Sequence, residues 1–178
     1  LIDCGAWFPN EREQIRRFLQ AEGLTLKHHL NTHLHFDHIF GNAFIEETFG
    51  VKAEASDLDW HWAANIKERV ARFGIKYEED VPALDRILKD GDVILFGNQR
   101  AVAIAVPGHS PGSLAYYLPD HKIIFTGDAL FNQSIGRTDF PDSDHEQLLA
   151  SIREKLFTLP EDTVVYPGHE EKTTTGFE

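Results

Sequence analysis

The hexapeptide His33-Leu34-His35-Phe36-Asp37-His38 constrains this chain more than any other feature. Four side chains able to bind a metal fall within six residues, directly after a segment that reads as a strand. In extended backbone, side chains at i and i+2 point the same way, so His33 and His35 can grip one ion together. Asp37 and His38 fall where the chain turns into a helix and can address a second ion close by.

Three further segments repeat the arrangement. Pro107-Gly108-His109-Ser110-Pro111-Gly112 follows an apolar stretch, Phe125-Thr126-Gly127-Asp128 ends in a carboxylate, and Val165-Tyr166-Pro167-Gly168-His169 ends in an imidazole. Each places a His or Asp just past the carboxyl end of a predicted strand, where layered α/β folds build their sites. One such residue would pass as an ordinary turn residue. Four stations together make a convergent dinuclear metal site the economical reading.

The pattern between these stations predicts a mixed α/β chain. A helix is predicted from Pro9, with Ile15, Phe18 and Leu19 on one face and Gly23 past its end. Residues 24–30 alternate as a strand, and 37–49 read as one short helix closed by Gly50. Ser56 reads as the N-cap of a long amphipathic helix through Phe73 that carries Trp60 and Trp62. Residues 76–92 are acidic and turn-rich. Short strands follow at 93–96, 101–106, 114–118 and 122–126, with Asp120-His121 as a tight turn. A helix over 144–157 and a strand over 163–166 complete the pass. Strands that come in runs point to hairpins within a layered fold.

Composition narrows the function. Acidic residues outnumber basic ones 29 to 17, a formal charge of −12, which argues against nucleic acid as the main partner. The single cysteine, Cys4, cannot form an internal bridge. No apolar run is long enough to span a membrane, and nothing at the start reads as an export signal, so a cytoplasmic location is expected. The chain has no methionine and opens on Leu1-Ile2-Asp3-Cys4-Gly5, which reads as the end of a buried strand. One domain over residues 1–178, with one or more strands upstream of Leu1, is the expectation.

The order His-x-His-x-Asp-His, Gly-His, Gly-Asp, Gly-His resembles the metallo-β-lactamase superfamily, over nearly the whole chain from Asp3 to Gly176. The resemblance implies a four-layer αββα sandwich with metals at one sheet edge. It implies that His33, His35 and His109 bind one divalent ion, that Asp37, His38 and His169 bind the other, and that Asp128 bridges both. Asp3 matches the family's first motif and would support the ligands from behind. Two such ions would hold a bridging hydroxide able to attack a carbonyl carbon, with Asp37 orienting it. Mixed imidazole and carboxylate donors suit zinc first, with iron or manganese as further choices.

Within the superfamily, length and motif spacing resemble the small glyoxalase II-like thioester hydrolases. Thr173, Thr174 and Gly176 resemble the stretch after the last ligand in that branch, with Thr175 standing where an apolar residue is expected. The resemblance implies a small-molecule thioester substrate, with a glutathione conjugate as the candidate, and no C-terminal helical substrate domain. An oligomer is compatible with it. The alternative is the persulfide dioxygenases, oxidoreductases that use one iron held by the equivalents of His33, His109 and Asp128. Another ester hydrolase ranks below both. True β-lactamases lack an aspartate at the position of Asp128, so that activity is not expected.

Arg137 and Lys172 are the candidate contacts for an anionic substrate group. For Arg137 a loop pair with Asp139 is the stronger expectation. His28 and His29 read as structural or exposed, His61 as packing, His121 as a turn residue, His145 as helix surface and Cys4 as a buried inert thiol. The run Glu78-Glu79-Asp80 reads as a solvated loop, and one of Trp60 and Trp62 is a candidate for the substrate entrance.

Overall fold

The computed structural model describes residues 1–178 and divides into two compact units. Leu1–Ala55 with Asp59–Ile87 form the first, and Ser56–Leu58 with Leu88–Glu178 form the second. No helix is long and apolar enough to cross a membrane.

The first unit is built on a small parallel sheet of β1 (His29–Leu30), β2 (Ala53–Ala55) and β3 (Arg86–Ile87), in that order. The expected strand over 24–30 is regular only at His29–Leu30. That is where its backbone finds partners: Leu30 pairs with Glu54, and its N–H and C=O are taken by Leu1 and Asp3. Leu24 is exposed. Helix α1 (Pro9–Ala21) begins where expected, with Pro9 at the first helical position. The Glu11 carboxylate accepts from the backbone N–H groups of Trp7 and Phe8. Phe18, expected on the apolar face, is exposed.

The predicted helix over 37–49 is two helices, α2 (Phe36–Ile39) and α3 (Asn42–Phe49). The break has a tertiary cause. The Gly41 N–H donates to the Cys4 carbonyl at 2.7 Å, and Cys4 Sγ occupies the space a side chain at position 41 would need. The predicted long helix over 56–73 is also two, α4 (Trp60–Ala64) and α5 (Ile66–Ala71), separated at Asn65, whose φ of −113° and ψ of 24° leave helical geometry. Ser56 caps neither. Leu34, Ile39, Phe40, Ala55, Ala63, Ile66, Val70 and Tyr77 form the main core of this unit. Each large aliphatic side chain so buried contributes about 1.5–3 kcal/mol relative to exposure.

The acidic run is not simply solvated. Glu79 takes both guanidinium nitrogens of Arg12, at 2.6 and 2.9 Å. Arg12 also donates to the carbonyls of Ala6 and Phe40, and Tyr77 donates to the Phe40 carbonyl. Burial and the neighbouring Glu79 charge push the Tyr77 phenol up out of its usual range. Asp80 pairs with Lys67 and Glu78 with Lys76.

The second unit holds a six-stranded sheet. Strands β4 (Val93–Phe96), β5 (Gln99–Ala105), β6 (Leu114–Leu118) and β7 (Ile123–Gly127) run antiparallel as successive hairpins. β10 (Val164–Pro167) then adds parallel to β7, and β11 (Thr173–Thr174) closes the edge beyond it. A two-residue ladder, β8 (Leu130–Phe131) with β9 (Ser134–Ile135), follows β7. Helix α6 (His145–Ser151) starts one residue later than expected because Asp144 is its N-cap and accepts from the Gln147 N–H. The rest of the expected helix is one π-helical turn, Ile152–Leu156. Leu148, Ile152 and Leu156 close over Val106, Ala115, Ile124 and Val165.

One buried group in the first unit titrates in a useful range. His29 on β1 is wholly buried, and neither ring nitrogen has a hydrogen-bond partner. Burial pushes its pKa down to about 4 from the ordinary 6.5. Between those values the unfolded chain binds one more proton than the folded one, so stability falls as pH falls. His29→Leu should remove that fall. Denaturant titrations of metal-free protein at pH 7 and pH 5 should show the wild type losing about 2 kcal/mol more than the variant. Equal losses would contradict the account.

Candidate metal centre

Each unit presents its own set of the candidate ligands, and far-side hydrogen bonds orient His33 and His38 in the first and His109 in the second. In the first unit the organiser is Asp3. Its φ of 49° lies in the left-handed region, which Asp tolerates better than most residues. The turn is held by its N–H donating to the Leu30 carbonyl at 2.9 Å. The carboxylate then accepts three hydrogen bonds: the Thr32 N–H to Oδ1 at 2.7 Å, the Thr32 hydroxyl to Oδ2 at 2.7 Å, and His38 Nδ1–H to Oδ2 at 3.0 Å.

These bonds select tautomers. Because the Thr32 hydroxyl spends its proton on Asp3, it accepts from His33 Nδ1–H at 3.1 Å. His33 and His38 are therefore protonated at Nδ1, and each keeps its Nε2 lone pair for a metal. Both rings are buried and lie 4.1 Å apart between centroids. The His35 ring lies 4.6 Å from His33 in an edge-to-face contact. Asp37 is more exposed, with Oδ2 at 3.8 Å from His38 Nε2. Asn31 steadies the loop, donating to the His38 carbonyl at 3.0 Å and accepting from Asn42 at 2.8 Å.

In the second unit the ligand-bearing loops leave one sheet at β5, β7 and β10. His109 follows Gly108, whose φ is +135°. Any side chain at 108 would run into the backbone of Leu148. The three carbonyls of this loop are all satisfied: Pro107 by the Ser151 hydroxyl, Gly108 by the Asp144 N–H and His109 by the Ser143 hydroxyl. His109 Nδ1–H donates to the Arg137 carbonyl at 2.8 Å, which again leaves Nε2 as the lone-pair nitrogen. A register shift between β7 and β10 pairs Pro167 with Gly127, and the Gly168 N–H bonds the Gly127 carbonyl. That step sets His169 beside Asp128. Asp128 Oδ2 then lies 3.7 Å from His109 Nε2 and 3.5 Å from His169 Nε2, a position suited to a carboxylate shared between ions. His109 is buried and His169 is half exposed.

The donor set fits divalent metal. It combines imidazoles, three of them (His33, His38 and His109) with the lone pair on Nε2, with the carboxylates of the exposed Asp37 and the largely buried Asp128, the chemistry that zinc, iron and manganese accept. The far-side partners are those a metal-binding histidine ordinarily has: a carboxylate, a hydroxyl and a backbone carbonyl. Sequence reasoning passed over Thr32. Its place between a strand and His33 was visible, but its partner is 29 residues away.

The expected pair of Arg137 with Asp139 is present. The guanidinium makes two bonds of 2.6 Å to the carboxylate and lies over the Phe140 ring, raising the Arg137 pKa and lowering that of Asp139. Lys172 is exposed. Thr175 is buried and donates to the Pro160 carbonyl, so its hydroxyl is accommodated where an apolar group was expected. His28 pairs with Glu54 at 2.6 Å, and His121 bonds Gln99.

This fold and these ligand stations define a metallo-β-lactamase-type protein. Residues 1–169 match the metallo-beta-lactamase superfamily, and the chain belongs to it. It is 34% identical over 185 residues to hydroxyacylglutathione hydrolase GloC of Haemophilus influenzae, an alignment that takes in 100% of this chain and 82% of that protein. Among solved structures, the BLEG-1 B3 metallo-beta-lactamase and TTHA1623 in a di-iron-bound form are both similar to it, each with a TM-score of 0.87 and 35% identity. Both matches cover 99% of this chain, with 83% of BLEG-1 and 84% of TTHA1623.

Two substitutions check the local account. Asp3→Ala strands the Thr32 and His38 donors, and should weaken zinc affinity about 10–100-fold in competition with a chromophoric chelator. Gly108→Ala forces a side chain into a left-handed backbone against Leu148 and should cost roughly 3 kcal/mol. In a thermal melt of a chain this size that is a drop of about 6–12 °C.

Proposed function

We propose that this protein is a dinuclear metal-dependent hydrolase that cleaves a thioester, in the manner its resemblance to the glyoxalase II-like branch implies. The observation that carries the reading is the fixed tautomer of His33, His38 and His109, each held at Nδ1 with Nε2 left to coordinate. On this reading His33, His35 and His109 hold one ion. Asp37, His38 and His169 hold the second, and Asp128 serves both. The relative named hydroxyacylglutathione hydrolase supports a glutathione thioester as the substrate class.

Bound there, a pair of divalent ions supplies a water acidified towards neutral pH and an electrophile for the developing oxyanion. The chain's own residues do the rest. Asp3 and Thr32 keep the two imidazoles from rotating and from changing tautomer. On this reading Asp37, an exposed carboxylate of the motif, orients the attacking water and carries its proton to the departing thiolate. Asp128, beside both His109 and His169, holds the negative charge that balances the ions. Lys172, exposed just past His169, is available to an anionic substrate group. Zinc is the first choice of metal, and the di-iron form of TTHA1623 supports iron as the second.

The test is hydrolysis of S-lactoylglutathione by protein loaded with zinc, iron or manganese, followed as free thiol. Turnover should vanish on chelation and return with metal. His35→Ala and Asp128→Ala should each lower it at least about 100-fold. No turnover with any metal would overturn the thioesterase reading. The likeness to BLEG-1 runs against the argument from Asp128, so a β-lactam is assayed in parallel and no ring opening is expected. Oxygen uptake by the iron-loaded protein on a persulfide would replace hydrolysis by the dioxygenase alternative.

A further inference from the structure

His33 and His38 are braced through Nδ1 by Thr32 and Asp3, and the His35 ring packs against two further rings. His33 stands edge-on to it at 4.6 Å, and the indole of Trp62 on α4 lies 4.6 Å away with the planes at 79°. The same indole carries a cation: Cζ of Arg69 on α5 is 3.5 Å from its ring centroid. Both Trp62 and Arg69 are half buried.

Trp62 on α4 and Arg69 on α5 meet across the interruption at Asn65, whose side chain donates to the His61 carbonyl. A guanidinium over an indole is a favourable and planar contact, so it fixes the ring's tilt. An edge-to-face contact then transmits that tilt to the imidazole, because its geometry is preferred over a rotated one.

We propose that Trp62, pinned by Arg69, is a positioning residue that sets the plane of the His35 imidazole for metal binding. The proposal rests on His35 being a ligand, as in the reading above. It assigns the Trp60 and Trp62 pair divided roles, with Trp60 in the core beside Ile66 and Val70 and Trp62 turned to the ligand.

The experiment measures zinc affinity of the metal-free protein against a chromophoric chelator, together with the visible absorption of the cobalt-loaded form. Trp62→Ala should weaken zinc binding about tenfold and alter the cobalt spectrum. Arg69→Gln should shift affinity the same way by a smaller factor, and Trp62→Phe should recover part of the loss. Trp60→Phe, on the same helix, should leave affinity and spectrum unchanged whatever it does to the melting temperature. Wild-type affinity in folded Trp62→Ala overturns the proposal, as does an equal loss in Trp60→Phe. If Trp62→Ala does not fold, wild-type affinity in both Trp62→Phe and Arg69→Gln overturns it. His35→Ala separates the two levels: unchanged affinity there removes His35 from the ligand set, independently of any thioester assay.

Discussion

The carboxylate of Asp3 is the point on which the first unit's chemistry depends. A buried imidazole can carry its proton on either nitrogen, and only one choice leaves a lone pair where a metal needs it. Asp3 makes that choice for His38 directly and for His33 through the Thr32 hydroxyl. Its placement is itself a product of the fold. Ile2 bridges to Leu30 in parallel, the Asp3 N–H bonds the Leu30 carbonyl, and a left-handed backbone at Asp3 aims the side chain under the loop. The position therefore admits few replacements. Glutamate is longer and less tolerant of that φ, while asparagine offers one oxygen to three donors.

The second unit solves the same problem with sheet geometry. Its three stations stand on loops after β5, β7 and β10, and the distance between Asp128 and His169 follows from the register shift where Pro167 meets Gly127. A carbonyl, that of Arg137, does for His109 what a carboxylate does for His38. Neighbouring side chains and backbone satisfy every carbonyl of the Pro107-Gly108-His109 turn. The loop that carries His109 thus has the polar accounting of regular structure, which is the requirement for holding an imidazole in one orientation.

The candidate stations stand out in the sequence because each is a local pattern after a strand: a Gly before the His or Asp in three of them, and the dense His-x-His-x-Asp-His run in the other. Strands β4 and β6 were legible for the same reason, with alternation and turns on both sides. What was not legible depends on contacts far apart in the chain. The break at Gly41 follows from Cys4, 37 positions earlier, and the anchoring of Glu79 follows from Arg12, 67 positions earlier. The strand over 24–30 shrank to two residues because alternation specifies a face, while pairing specifies a strand. The break at Asn65 left no signal in periodicity, since Ile66 and Val70 continue the apolar spacing of a single helix.

Cys4 has a practical meaning beyond packing. It is the one cysteine of the chain, its Sγ is pressed against Gly41, and burial pushes its thiol up, away from the reactive thiolate. A reagent that counts thiols will therefore react slowly with the folded protein. When the contact between residues 4 and 41 opens, the same reagent will see one new thiol per chain. The protein carries its own label for the opening of the segment that bears Asp3, and the rate of labelling reads how often that segment parts from the loop it supports.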